Sequence, residues 1–203
     1  GGPGAQPDSA ATREFIAKGG LRYVDVKDVH MYAPPIRAEH FDEVFGRLEE
    51  LMRANGGPKP IWMTEWGCYA DDDPPSLPWG AGDASMNRSR WPSERAASEH
   101  IVRFAAATFA HGVRKIFFHA GTCGAINGPD AGGVLFEYGG APRRMLPTVA
   151  AFTRIVGVPE ACERVIRDGG VRTYVFRGAG RFVAVAWSSE RPAKLAVGGA
   201  VRA

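Results

Sequence analysis

The chain has 203 residues, 45% of them hydrophobic and 23% charged, the balance of an ordinary globular protein with enough residues to bury a core. Its formal net charge is only +3, and the arginines are scattered with no basic run interleaved with aromatics, which argues against nucleic acid as a partner. No apolar run is long enough to span a membrane as a helix. The three cysteines, Cys68, Cys123 and Cys162, are odd in number and lack zinc-ligand spacing, so neither a metal site nor a disulfide framework is expected.

Along the chain, residues 1–11 read as a Gly/Pro/Ala/Ser-rich loop, opening on Gly1-Gly2-Pro3-Gly4 with no initiator Met. That opening reads as a cut rather than a true start and leaves localisation open. A short helix is expected over 12–18, closed by Gly19-Gly20, then a β-branched and aromatic strand over 23–32 that ends at Pro34-Pro35. Phe41, Val44, Phe45, Leu48, Leu51 and Met52 recur at helical spacing across 38–55, before Gly56-Gly57. Residues 60–66 form a second strand, followed by a long polar loop to Pro92. Ser93 is a good N-cap for a helix to Ala110 that shows Ile101, Phe104, Ala105 and Phe109 on one face. A third strand covers 113–119, and after a Gly-rich excursion a helix over 146–156 stops at Gly157.

Strand and helix in strict alternation predict an α/β fold of parallel βα units over 1–157. Beyond that the texture changes. Residues 171–177 and 181–187 read as a hairpin with the three-residue loop Gly178-Ala179-Gly180, and 194–197 begin a further strand. The second unit, 158–203, is therefore expected to be the start of an antiparallel β-sandwich module.

Chemistry concentrates at two strand ends. Glu65 closes the second strand, at the end where barrel enzymes place reacting groups, and alternation sets it above Ile61 and Met63 on one face. Taken alone, such a Glu serves equally well as a helix cap or an arginine partner. On the preceding strand Asp28, His30 and Tyr32 share a face. A lone His30 is more often a satisfied core histidine, but an imidazole and a phenol beside a carboxylate can orient it as a nucleophile. Trp79 and Trp91 lie in the long loop and offer flat faces to a ligand, with packing against the rim favoured for Trp91 beside Pro92. Trp66 follows Glu65 directly and is the lesser ligand-contact candidate. The run Asp71-Asp72-Asp73 reads as a solvated loop face, a bound cation being the lesser alternative.

His30-Met31-Tyr32 and Pro60-Ile61-Trp62-Met63-Thr64-Glu65-Trp66-Gly67 resemble glycoside hydrolase clan A, the (β/α)8 TIM barrel enzymes related to families 39 and 5. In that clan strand six ends in His-x-Tyr, and strand seven carries a nucleophilic Glu after Thr. Ser93-Glu94-Arg95 and 110–118 resemble its helix seven and strand eight, while Gly132-Gly133-Val134-Leu135 and Pro142-Arg143-Arg144 resemble the strand-eight loop. The resemblance spans about residues 20–157 and implies a partial barrel, strands six to eight with their helices. It further implies a retaining O-glycosyl hydrolase acting on a poly- or oligosaccharide. Glu65 would be the catalytic nucleophile, with His30, Tyr32, Trp66, Trp79 and His119 contacting substrate, and no cofactor or metal is called for.

Two departures stand out. His119 falls where the clan presents a Trp, and no Asn-Glu pair, the clan's acid/base motif on strand four, occurs in the sequence. The expectation is therefore a fragment lacking the N-terminal half of the barrel and inactive alone. The alternative is a non-catalytic carbohydrate-binding or pseudoenzyme barrel.

Overall fold

The structure is a computed structural model that describes residues 6–32, 37, 39–68, 70, 72, 91–118, 135–136, 141–168, 170–189 and 192, with the backbone alone of Tyr32 and Glu39. Among the described residues the α-helices and strands follow in chain order as α1 (Ala10–Ala17), β1 (Lys27–Tyr32), α2 (Glu39–Ala54), β2 (Ile61–Gly67), α3 (Glu94–Ala110), β3 (Val113–Phe118), α4 (Met145–Ile155), β4 (Ala161–Asp168), β5 (Val171–Gly178) and β6 (Arg181–Ser188). The first three strands form a parallel sheet in the order β1-β2-β3, and the last three a separate antiparallel sheet in the order β4-β5-β6. The α/β class expected from the alternating pattern is what the chain adopts.

Local signals set most of the boundaries. Helix α1 begins two residues earlier than the helix expected from residue 12, because the Ser9 hydroxyl accepts from the Thr12 amide at 3.1 Å and so caps it. Gly19, at φ 79°, ends that helix and leads into a 3-10 turn over Gly20–Tyr23. The turn takes Leu21 into the core and leaves Tyr23 exposed beside Arg22, so the strand expected from residue 23 starts at Lys27 instead. Ser93 caps α3 as its sequence suggests, accepting from the Ala96 amide at 3.1 Å.

One apolar core joins the layers. Helix α2 contributes Phe41, Val44, Phe45, Leu48 and Met52, whereas Leu51 is only half-buried at the edge of that face. Val29 and Met31 of β1 and Ile61 and Met63 of β2 meet Ile101 and Phe104 of α3 in the same cluster. Tyr174 and Phe176 of β5 belong to it too, with Phe109 meeting Phe176 edge-on at 6.5 Å, so the antiparallel sheet is packed onto the helices rather than tethered beside them.

The antiparallel sheet differs from the sequence reading in two ways. Strand β4 carries no clean alternation, because Glu163, Arg164, Arg167 and Asp168 leave it half-exposed, and periodicity alone misses it. The hairpin between β5 and β6 has a two-residue loop rather than three, since Gly178 pairs with Arg181. Ala179 at φ 49° and Gly180 at φ 73° supply the two left-handed residues that match strand twist in such a turn. The strand expected over 194–197 lies outside the described residues.

Phe104 is fully buried, stacked on Trp66 at 4.4 Å and edge-on to Phe41 at 4.6 Å. Phe104→Ala should therefore lower unfolding free energy by about 3–5 kcal/mol in urea titrations. Phe182→Ala, at a side chain 67% exposed, should change it by less than about 0.5 kcal/mol.

Candidate active site

Strand β2 does not keep strict alternation. Val29 pairs with Met63, but the next residue of β1, His30, pairs with Glu65, so Thr64 is an extra residue on β2. The same excess appears on the other side, where Met63 pairs with Ile116 and Trp66 with Phe118. This is a β-bulge, a device that re-aims side chains and is common beside active sites. Below it, Ile61 and Met63 face the helices and are fully buried; above it, Trp66 takes up that same inward face. Glu65 is thereby turned to the opposite face, away from Ile61 and Met63. The expectation that these two lie beneath it on one face is corrected by the bulge.

On that opposite face Glu65 meets His30. The His30 Nδ1 and Glu65 Oε2 are 3.2 Å apart, and the side chains are 28% and 34% exposed, so the pair is anchored yet open to a ligand. Parallel pairing brings them together: β1 and β2 run in the same direction, and both residues sit near the C-terminal ends of their strands. Tyr32, two residues further on, pairs in register with Gly67. Lower on the same face, Lys115 Nζ lies 4.2 Å from the centre of the Trp62 ring, with Phe117 beside it at 6.1 Å.

The other sequence candidates divide. Trp66 is not with Glu65: it is 1% exposed, stacked on Phe104 and edge-on to Phe118 at 5.0 Å. Its position is that of a core residue, not a sugar platform. Trp91 packs as its place before Pro92 suggests, stacked on His100 at 4.2 Å. Trp79 and His119, together with Asp71 and Asp73, lie outside the described residues. Asp72 plays a structural part, its carboxylate accepting from the Glu94 amide at 2.8 Å and pairing with Arg144 at 3.5 Å. Among the described residues no three His, Cys, Asp or Glu side chains are grouped so as to hold a metal.

Two features escaped the sequence. His100 lies at 3% exposure among Trp91, Trp66, Phe41 and Phe104, with its Nε2 buried and without a hydrogen-bond partner among the described residues. Burial, aided by the nearby Arg103, pushes its pKa down to about 3, so the ring is neutral. The second is a buried ion pair between Arg143 and Glu94, 3% and 6% exposed and 3.4 Å apart. Arg143 also donates to the carbonyls of Ala70 at 3.1 Å and Phe136 at 3.3 Å, while Glu94 accepts from the Arg144 amide at 2.8 Å. This network ties the exit of β2 to the start of α3 and the approach to α4. Nothing in the residue pattern of Pro142-Arg143-Arg144 distinguishes it from an exposed basic turn.

No protein-family model matches the chain, and no curated protein matches it. Among solved structures the chain is similar to one described as a family 39 glycoside hydrolase from the gut symbiont Bacteroides cellulosilyticus WH2, at 14% sequence identity with a TM-score of 0.59. The fold is distantly glycoside hydrolase-like. The alignment covers 91% of this chain and 38% of that one, so the chain spans well under half the length of its structural neighbour.

Removing one partner of a buried pair leaves the other charge uncompensated. Arg143→Met should therefore cost about 3–5 kcal/mol of stability in chemical denaturation. The double variant Arg143→Met/Glu94→Gln should recover part of that loss, since the stranded charge is gone. A double variant no more stable than the single one would show that the pair is not energetically coupled.

Proposed function

We propose that this chain supplies the nucleophile-bearing side of a retaining glycoside hydrolase barrel of the family 39 type, with Glu65 as the nucleophile. The observation that carries the proposal is the 3.2 Å contact between His30 and Glu65 at the C-terminal ends of adjacent parallel strands. It occurs within a fold that resembles a family 39 enzyme, and active sites of parallel barrels gather at that end.

In this reading a Glu65 carboxylate oxygen attacks the anomeric carbon of a bound sugar. The bond to the leaving oxygen breaks, and a covalent glycosyl ester forms. His30 fixes which oxygen of Glu65 faces the sugar. Water then attacks the same carbon, giving its proton to the carboxylate that had protonated the leaving oxygen, which releases Glu65 and restores the original configuration. The proton for the leaving oxygen must come from a second carboxyl group about 5 Å from the first. In the clan this is the Glu of an Asn-Glu pair on an earlier strand, a pair absent from these 203 residues, so on this reading the earlier strands lie outside the chain. The substrate class is an O-linked poly- or oligosaccharide.

In the complete enzyme Glu65→Gln should abolish turnover while sugar binding and the thermal transition persist, because an amide matches the carboxylate in size but cannot attack carbon. Glu65→Gly should be partly rescued by azide or formate, with a product of inverted configuration, since the small anion attacks from the vacated position. Near-normal turnover by Glu65→Gln would overturn the assignment. Loss of folding in both variants would make Glu65 a structural residue.

A further inference from the structure

Away from Glu65, a second cluster of ionisable groups joins three parts of the fold. Its centre is Asp42, on the first turns of α2 and 8% exposed at its side chain. From β5 the Tyr174 hydroxyl donates to it at 2.8 Å and Arg172 at 2.6 Å, and from β4 Arg167 donates at 3.2 Å. His111, the residue that caps the C-terminal end of α3, completes the cluster. Its Nε2 lies 3.3 Å from the Asp42 carboxylate, and its Nδ1 lies 3.4 Å from the carboxylate of Glu49.

That arrangement selects a protonation state. A neutral imidazole carries one N–H, so one of its nitrogens would turn a lone pair toward a carboxylate oxygen; only the imidazolium donates on both sides. Asp42 and Glu49 lie seven residues apart, two turns along α2, and the ring spans them above Gly46. We propose that His111 is a pH-sensitive latch: as imidazolium it staples the end of α3 across two turns of α2 and completes the charge cluster on which the antiparallel sheet is seated, and on losing its proton it loosens that seat.

The surrounding groups agree with this direction. Burial works against a charged His111 ring, but the hydrogen bonds to Asp42 and Glu49 outweigh it and hold the pKa above the ordinary imidazole value. Among the described residues the other groups facing the cluster are Arg53 of α2, 2.8 Å from Glu49, the Arg167 guanidinium and Cys162 thiol of β4, and Arg172 and Tyr174 of β5. The arginines stay charged at any pH of interest. Burial, followed by the Asp42 carboxylate, pushes the Tyr174 hydroxyl well above its ordinary range, and burial raises the Cys162 thiol. Asp42, held below the usual carboxylate range, is already ionised, and of the groups that lose a proton at higher pH His111 starts from the lowest ordinary value. With a raised folded-state pKa, its contribution is complete below the unfolded value near 6.5 and is lost as pH rises through the folded value.

The test is a pH titration of His111 by NMR in this chain, paired with amide exchange at Tyr174 and Phe176 corrected for the intrinsic rate. The His111 midpoint should lie above the ordinary imidazole value. Protection in β5 should fall through that midpoint, by about tenfold for each unit of upshift. In His111→Gln this fall should vanish. Glu49→Gln, which removes a carboxylate one-third exposed, should lower the midpoint and shrink the loss of protection, and it decides the matter should His111→Gln not fold. A midpoint at or below the ordinary value, or one unmoved by Glu49→Gln, would overturn the proposal. So would the same loss of protection in His111→Gln as in the parent.

Discussion

The candidate site depends on the insertion of the Trp66 indole between β2 and α3. The ring is stacked on Phe104 at 4.4 Å and closed on its other side by Phe118. An aromatic side chain of this size brings one of the largest single burials available to a core. Ile61 and Met63 already occupy the inward positions below it, so strict alternation would send Glu65 inward next and Trp66 outward. The extra residue at Thr64 reverses that order. It disrupts the ladder locally, and the Thr64 hydroxyl lies 3.4 Å from the Val29 carbonyl across the bulge. The packing of one tryptophan thus decides that the carboxylate beside it faces His30 rather than the hydrophobic core.

Two buried carboxylates hold the frame around that strand. Glu94, paired with Arg143, fastens the chain just past β2 through the Ala70 carbonyl, five residues beyond Glu65. Asp42 does the corresponding work between α2 and the antiparallel sheet, satisfied by Tyr174 and two arginines. In both cases burial opposes the charge, and only a full set of donors offsets that cost. Such contacts are poor substitutes for apolar packing as sources of stability, but they accept few geometries. Each joins segments far apart in sequence.

What the sequence revealed follows from the range of the forces involved. Helix α3 was legible because its cap and apolar face are local: Ser93 reaches Ala96, and Ile101 and Phe104 repeat at helical spacing. That Glu65 and His30 would lie close together was legible because both sit near the C-terminal ends of their strands, and parallel neighbours align those ends. The bulge was hidden. Thr64 is unremarkable in a strand, and only the non-local fit of Trp66 against Phe104 reveals that it is the extra residue. Strand β4 was hidden for a different reason, its polar side chains erasing the two-residue period. The partners of Asp42 lie between 69 and 132 residues away in the chain, a distance over which no local pattern reports.

The proposed function stands or falls on Glu65 as the nucleophile of a retaining glycoside hydrolase. The most direct measurement is to treat the complete protein with a fluorosugar carrying an activated leaving group; on the proposed reading a glycosyl ester then forms faster than water removes it. The labelled peptide is then identified by mass spectrometry. A single sugar adduct on Glu65, lost in Glu65→Gln, is the expected result. An adduct on any other carboxylate, or hydrolysis of the reagent with Glu65 unlabelled, would contradict the assignment.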